Sequence, residues 1–165
     1  MNVKQRRVAI FDLDGCMADD LDRLHFLTHQ EPDWEAYFNA CWGDKPVLPV
    51  LAIYHALGSY CSRVVFTGRP ERTRALTVNW MSRHDIDRPL DLYMRRNDDD
   101  RDNPVVKEGM LRDLRSRGYI PIMAFDDIQA IAEMYHANNV PCFLCWGSED
   151  LGLKFGGKVV PATTN

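Results

Sequence analysis

Two acidic side chains, Asp12 and Asp14, stand two apart in the segment FDLDG. Residues two apart on extended backbone face the same way, so both carboxylates can enter one pocket. Gly15 then permits a sharp turn and close approach of a substrate to the backbone. VVFTGR ends another apolar run with Thr67, Gly68 and Arg69, and AFDD ends a third with Asp126 and Asp127. Lys107 is the only lysine between Thr67 and Asp126. Taken singly these signals are weak: a DxD pair is often a solvated turn, and a lone lysine a surface residue. Gathered at the strand ends of one sheet, they describe a site.

Charge arithmetic says what such a site needs. Two carboxylates about 4 Å apart repel by about 1 kcal/mol in bulk water and roughly 4 kcal/mol at an effective dielectric of 20. Asp12, Asp126 and Asp127 would crowd one pocket with Asp14 beside them. A hard dication with oxygen ligands relieves the repulsion, and Mg2+ suits carboxylates, waters and phosphate together. No His/Cys set suggests zinc: His25 and His29 are four apart, but no third ligand is evident.

The elements that must position these residues alternate. Five apolar runs read as strands: Arg7–Leu13, Arg63–Thr67, Leu90–Met94, Pro121–Phe125 and Val140–Trp146. They are rich in β-branched and aromatic residues and nearly unbroken, as strands buried on both faces should be. Helical spacing fills the gaps at Val47–Leu57, Val105–Leu114 and Ile128–His136, and Pro70-Glu71 marks another helix start. This order predicts an α/β fold: a Rossmann-like three-layer α/β/α sandwich on a mainly parallel five-stranded sheet. Ligands bind beyond the carboxyl ends of such strands, where the polar clusters fall.

The chain of 165 residues fits one domain over residues 1–150, with 151–165 expected as a loosely ordered tail. Apolar residues at 45% and charged residues at 27% are ordinary globular composition, and the net charge of −4 argues against coating nucleic acid by bulk electrostatics. A local basic patch for a nucleic-acid end is not excluded. Five cysteines, no signal-peptide apolar region and no bilayer-length apolar stretch predict a reduced, cytoplasmic protein. Cys142 and Cys145 have CxxC spacing inside an apolar strand-like run, so plain packing is the expectation there.

The order DxDG, T-G-R, Lys, DD resembles the haloacid dehalogenase superfamily of phosphotransferases over roughly Arg7 to Glu149. Within it the chain resembles the 3′-phosphatase domain of phage polynucleotide kinase and related phage phosphatases. PVVKEGML, AFDDIQAIAEMYHANNVPCFLCW and Arg23 carry that likeness. A kinase half is not expected, because no GxxxxGK[ST] loop occurs. Two residues depart from the pattern. Cys16 stands where Thr or Val usually follows the glycine, and Asn103 stands four before the lysine, where the phage enzyme has an aspartate.

The resemblance implies a magnesium-dependent phosphatase; many relatives carry a large cap domain, but here the first gap holds only helices and the second a helix, a strand and a polar loop, which predicts an open or lightly lidded site. Asp12 would be the nucleophile, Asp14 the general acid and base, Thr67 a hydrogen-bond donor to a phosphoryl oxygen and Lys107 a fixed positive charge. Mg2+ would be held by Asp12, the Asp14 backbone carbonyl and Asp126 or Asp127. Arg23, Gly68 and Arg69 would contact substrate, with the arginines clamping a phosphate. The expected substrate is the 3′-phosphate of a DNA or RNA end. The alternatives are a mononucleotide or small metabolite, and a non-catalytic protein binding a nucleotide or partner.

Two further groups remain double-edged. Trp34, Tyr37, Phe38, Cys41 and Trp42 form a helical stripe that would stack bases or, the favoured reading, pack on the core. Arg95, Arg96 and Arg101 would follow a phosphate backbone or belong to a solvated loop with Asp98, Asp99, Asp100 and Asp102.

Overall fold

Alternating apolar strands and amphipathic helices leave few ways to bury both faces of a sheet, and the chain takes the expected one. A computed structural model describes residues 6–28, 30–86 and 89–145. The main sheet contains β1 (Arg7–Phe11), β4 (Ser62–Pro70), β5 (Leu92–Arg95), β6 (Ile120–Asp126) and β7 (Cys142–Leu144). Its order is β5-β4-β1-β6-β7, and every pairing in it is parallel. β1 is therefore central, so Asp12 leaves the middle of the sheet with β4 on one side and β6 on the other.

Side chains along β1 alternate between two cores, as the pleat requires. Ala9 and Phe11 join Val50, Leu51 and Tyr54 of α2 (Leu48–Leu57) and Trp80 and Met81 of α3 (Arg74–Arg83). Val8 and Ile10 join Val106, Met110, Leu111 and Leu114 of α4 (Asn103–Ser116) and Ile131 and Tyr135 of α5 (Gln129–Ala137) on the other face. The result is a three-layer α/β/α sandwich. The first strand ends earlier than its apolar run, at Phe11, because Leu13 to Met17 turn back. β4 runs beyond Thr67 to Pro70, with irregular pairing between those residues.

Between β1 and α2 lies an insertion of short pieces. β2 (Ala18–Asp19) pairs antiparallel with β3 (Lys45–Pro46), a ribbon too short for its alternation to be read. Between them come a 3-10 helix at Leu21–Leu27, α1 (Trp34–Asn39) and a further 3-10 turn at Ala40–Gly43. Asp33 caps α1, its carboxylate accepting from the Ala36 N–H at 2.9 Å. No large cap domain is present among the described residues. No described helix is long and apolar enough to cross a membrane. The expected C-terminal tail, Trp146 and His29 lie outside the described residues.

Candidate active site

Strand ends collect the first group. The Asp12 N–H donates to the Phe125 carbonyl at 3.0 Å, which sets the two aspartate-bearing strands side by side. From the other layer, α4 starts after Asp102 with Pro104 in its first turn, where a missing N–H costs nothing. That start places Lys107 on the buried face beside Val106. Its Nζ donates to Asp12 Oδ1 at 2.6 Å and to Asp126 Oδ2 at 2.7 Å. Asp12, Asp126 and Asp127 each offer an oxygen, all within 4.8 Å of one another. All four side chains are buried.

Three carboxylates against one ammonium leave two negative charges in a dry site. Protons compensate when nothing else does. Burial pushes Asp12 up to about 7; Lys107 opposes this, while Asp126 and Asp14 add to it. Burial, with Asp12 and Asp126, pushes Asp127 up to about 9. Burial pulls Lys107 down, but Asp12 and Asp126 together hold it well above its usual value. Asp127 Oδ1 is buried with no hydrogen-bond partner among the described residues, an expensive state for a carboxylate oxygen. The donor set is all oxygen, its deficit is two charges, and one acceptor is unmet: these residues fit a hard dication. Gly15 holds the door open. Its φ is +77°, and a Cβ there would lie 2.2 Å from Asp127 Oδ2.

Asp14 faces a different set. Arg23 Nη2 donates to its Oδ1, and Arg69 Nη2 reaches the same oxygen at 2.5 Å. Arg69 Nε adds bonds of 3.0 and 3.1 Å to the two oxygens. Burial pushes the Asp14 carboxyl up, but the two guanidinium groups more than offset it and hold it well below the carboxylate range. So Arg23 and Arg69, expected to clamp a phosphate, sit here on carboxylates. The second is Asp44, not singled out from the sequence. It takes Arg23 Nε at 2.7 Å and Nη2 at 2.8 Å, and Arg69 Nη2 at 3.0 Å. Tyr37 was also missed as a site neighbour: Arg23 lies 4.0 Å over its ring, and its hydroxyl donates to Asp20 at 2.6 Å.

Thr67 is buried at the end of β4, its Oγ1 accepting from the Arg69 N–H at 3.1 Å. The irregular pairing after Thr67 re-aims Arg69 inward. Gly68 lies so near Asn103 that a Cβ would come within 3.0 Å of its Oδ1. Asn103 in turn accepts from Arg95 Nη2 at 2.5 Å.

The remaining arginines of that loop are occupied locally: Arg96 by Asp98, Arg101 by Asp99, and Arg95 also by the Asp99 and Arg101 carbonyls. The loop is thus self-paired. The aromatic stripe divides: Tyr37 and Cys41 are buried, while Trp34 and Trp42 stay 44% and 55% exposed. Cys145 meets Cys16 at 3.2 Å, Sγ to Sγ. His25 Nδ1 lies 3.0 Å from the Asp22 carbonyl.

Comparison with known proteins gives the family and the fold. The family profile described as the polynucleotide kinase PNKP phosphatase domain matches residues 6–147. No curated protein sequence matches the chain significantly. A chain of the Pnkp1/Rnl/Hen1 complex superposes with TM-score 0.69 at 22% identity, over 88% of this chain and 48% of that one. A chain of the Pnkp1/Rnl/Hen1 RNA repair complex gives 0.71 at 20%, over 88% and 44%. A haloacid dehalogenase-like hydrolase from Streptococcus pneumoniae gives 0.59 at 14%, over 85% of each. At these identities the likeness is one of fold. The chain spans less than half the length of the first two.

Proposed function

The chain belongs to the polynucleotide kinase PNKP phosphatase-domain family and is a phosphatase of the haloacid dehalogenase type, and we propose that it removes 3′-phosphates from nucleic-acid ends through a phosphorylated Asp12. One observation carries the chemical part: Lys107 grips Asp12 and Asp126 while Asp127 keeps an unmatched buried oxygen beside them. Asp12, Asp126 or Asp127 and the Asp14 carbonyl would hold Mg2+, which would neutralise charge on the transferring phosphoryl group.

The reaction then follows from the side chains. Asp12 attacks phosphorus, and the ester oxygen leaves with a proton from Asp14. Water next attacks the phosphorus of the aspartyl-phosphate and gives its proton to Asp14, while the bond from phosphorus to Asp12 breaks. Both carboxyls return to their starting states. Lys107 fixes the attacking oxygen and stays charged throughout, and the Thr67 hydroxyl hydrogen is available to a phosphoryl oxygen. The arginines keep Asp14 ionised, the form that accepts the proton from water. To serve as the acid, Asp14 first takes the proton that a monoanionic phosphate ester brings to the site, and the proton it later gains from water leaves with the product phosphate.

Family membership, and the RNA repair complex among the structural neighbours, support a nucleic-acid end as substrate. One observation favours a second reading, a mononucleotide: Arg95, Arg96 and Arg101 are occupied by their own loop, so they do not form a track for a backbone. Phosphate release with Mg2+ from a 3′-phosphorylated oligonucleotide, beside 3′- and 5′-mononucleotides, decides between them. The proposal expects the oligonucleotide to have the highest kcat/KM. Equal or faster release from mononucleotides would overturn it.

A further inference from the structure

Asp14, Arg23, Asp44 and Arg69 close a ring of alternating charge. Asp14 Oδ1 receives Arg23 Nη2 and both Nη2 and Nε of Arg69, and Asp44 Oδ2 receives the same two Nη2 atoms, one from each arginine. The two carboxylates are not equivalent. Asp44 is 3% exposed at its side chain, and its second oxygen takes Arg23 Nε at 2.7 Å. Its backbone carbonyl accepts from the Trp80 indole N–H at 2.8 Å, which ties it to α3. Asp14 is 17% exposed and sits on the turn after β1, on the side of the reacting group. Asp44 is tied both to the arginines and to α3, whereas Asp14 is held by the arginines and is the more exposed of the two.

Two guanidinium groups buried side by side repel each other and cannot shed their protons. Without a fixed anion between them they would separate or close fully on Asp14. We propose that Asp44 is a positioning residue: a buried counter-ion that keeps Arg23 and Arg69 paired, so that Asp14 can leave their hold to serve the leaving oxygen. This rests on the acid role of Asp14 given above and adds a residue to it. Asp44 touches neither substrate nor the reacting atoms, and acts through the arginines.

The test is leaving-group dependence. Asp44→Asn keeps the shape and removes the charge. It should slow hydrolysis of an alkyl phosphate such as glycerol phosphate, whose alcohol needs a proton, at least about tenfold more than p-nitrophenyl phosphate, within the range a positioned acid supplies. A merely structural defect lowers both rates equally, and equal losses would overturn the proposal. The Nε–H resonances of Arg23 and Arg69 provide a reading independent of turnover. Their exchange with water should be slow in the native protein and fast in Asp44→Asn; unchanged slow exchange would also overturn it.

Asp14→Asn, measured beside it, separates the two ideas. If that variant shows no leaving-group dependence while the arginine signals still depend on Asp44, the acid role of Asp14 fails and the anchoring role of Asp44 stands. Should Asp44→Asn not fold, Asp44→Glu keeps the charge and moves it by one methylene. A steeper leaving-group dependence at near-native Tm is then expected, and a native slope would contradict the proposal.

Discussion

Lys107 shows how much a single side chain decides in a dry pocket. It is the ammonium within hydrogen-bond reach of both Asp12 and Asp126, at 2.6 and 2.7 Å. Removing one partner of a buried pair leaves an uncompensated charge, which typically costs about 3–5 kcal/mol. Lys107→Met should therefore lower unfolding stability by about that amount at neutral pH, read from urea midpoints. The same change removes a fixed positive charge from the transferring group and should reduce kcat by about 10²–10³-fold. Native stability together with native kcat would show that the lysine does neither job. Asp44 belongs to this scale too, but its burial could not be anticipated. It stands in CWGDK, two residues past the end of the helical stripe that closes at Trp42, where no periodicity assigns it a face. Only the folding-over of the insertion brings Arg23, 21 residues before it, and Arg69, 25 after, onto its carboxylate.

At the scale of elements, the turn after β1 does more than reverse the chain. Gly15 has a left-handed φ of +77°, and its missing Cβ is the space that Asp127 occupies. Gly15→Ala would add backbone strain of about 1–2 kcal/mol and press on a buried carboxylate with little room to retreat. Mg2+ affinity should fall more steeply than stability, as compared by calorimetric titration and thermal unfolding; a metal affinity equal to the native value would show that Asp127 is not part of the ion's surroundings. Strands and helices were largely legible because their signal is local. Five apolar runs and the helices between them gave the sheet, with edges off by a few residues where pairing rather than composition sets the end. The TGR segment reads as a turn, yet it continues β4, because β5 supplies pairing partners as far as Pro70. The ribbon of β2 and β3 went unseen, since two residues per strand carry no alternation. That Asp12, Lys107, Asp126 and Asp127 meet was legible from the strand-end rule. That Asp14 turns instead to two arginines was not, because side-chain direction after a strand's last pair depends on tertiary partners.

The whole molecule carries the electrostatic cost of its site, and this makes a pH signature. Asp12 and Asp127 have folded values raised from 3.8 to about 7 and about 9. A carboxyl raised in the folded state binds its proton more tightly there, so stability falls as pH climbs from the unfolded value through the folded one. Asp14 works in the opposite sense, but its depressed value places its loss of stability below pH 4, outside this window. In chelator, the protein should therefore lose thermal stability steadily between about pH 4 and 9. Mg2+ should raise Tm more at pH 8.5 than at pH 5, because it takes the place of the protons; an equal gain at both would speak against a carboxylate site.

In the proposed mechanism, distant segments converge to place a divalent ion beside an aspartate that accepts phosphorus. The most direct measurement quenches the enzyme in turnover, reduces any acyl-phosphate with borohydride and locates the product by mass spectrometry. Homoserine is expected at position 12, formed with Mg2+ and absent in chelator. Modification at another residue, or full turnover by folded Asp12→Asn, would contradict it.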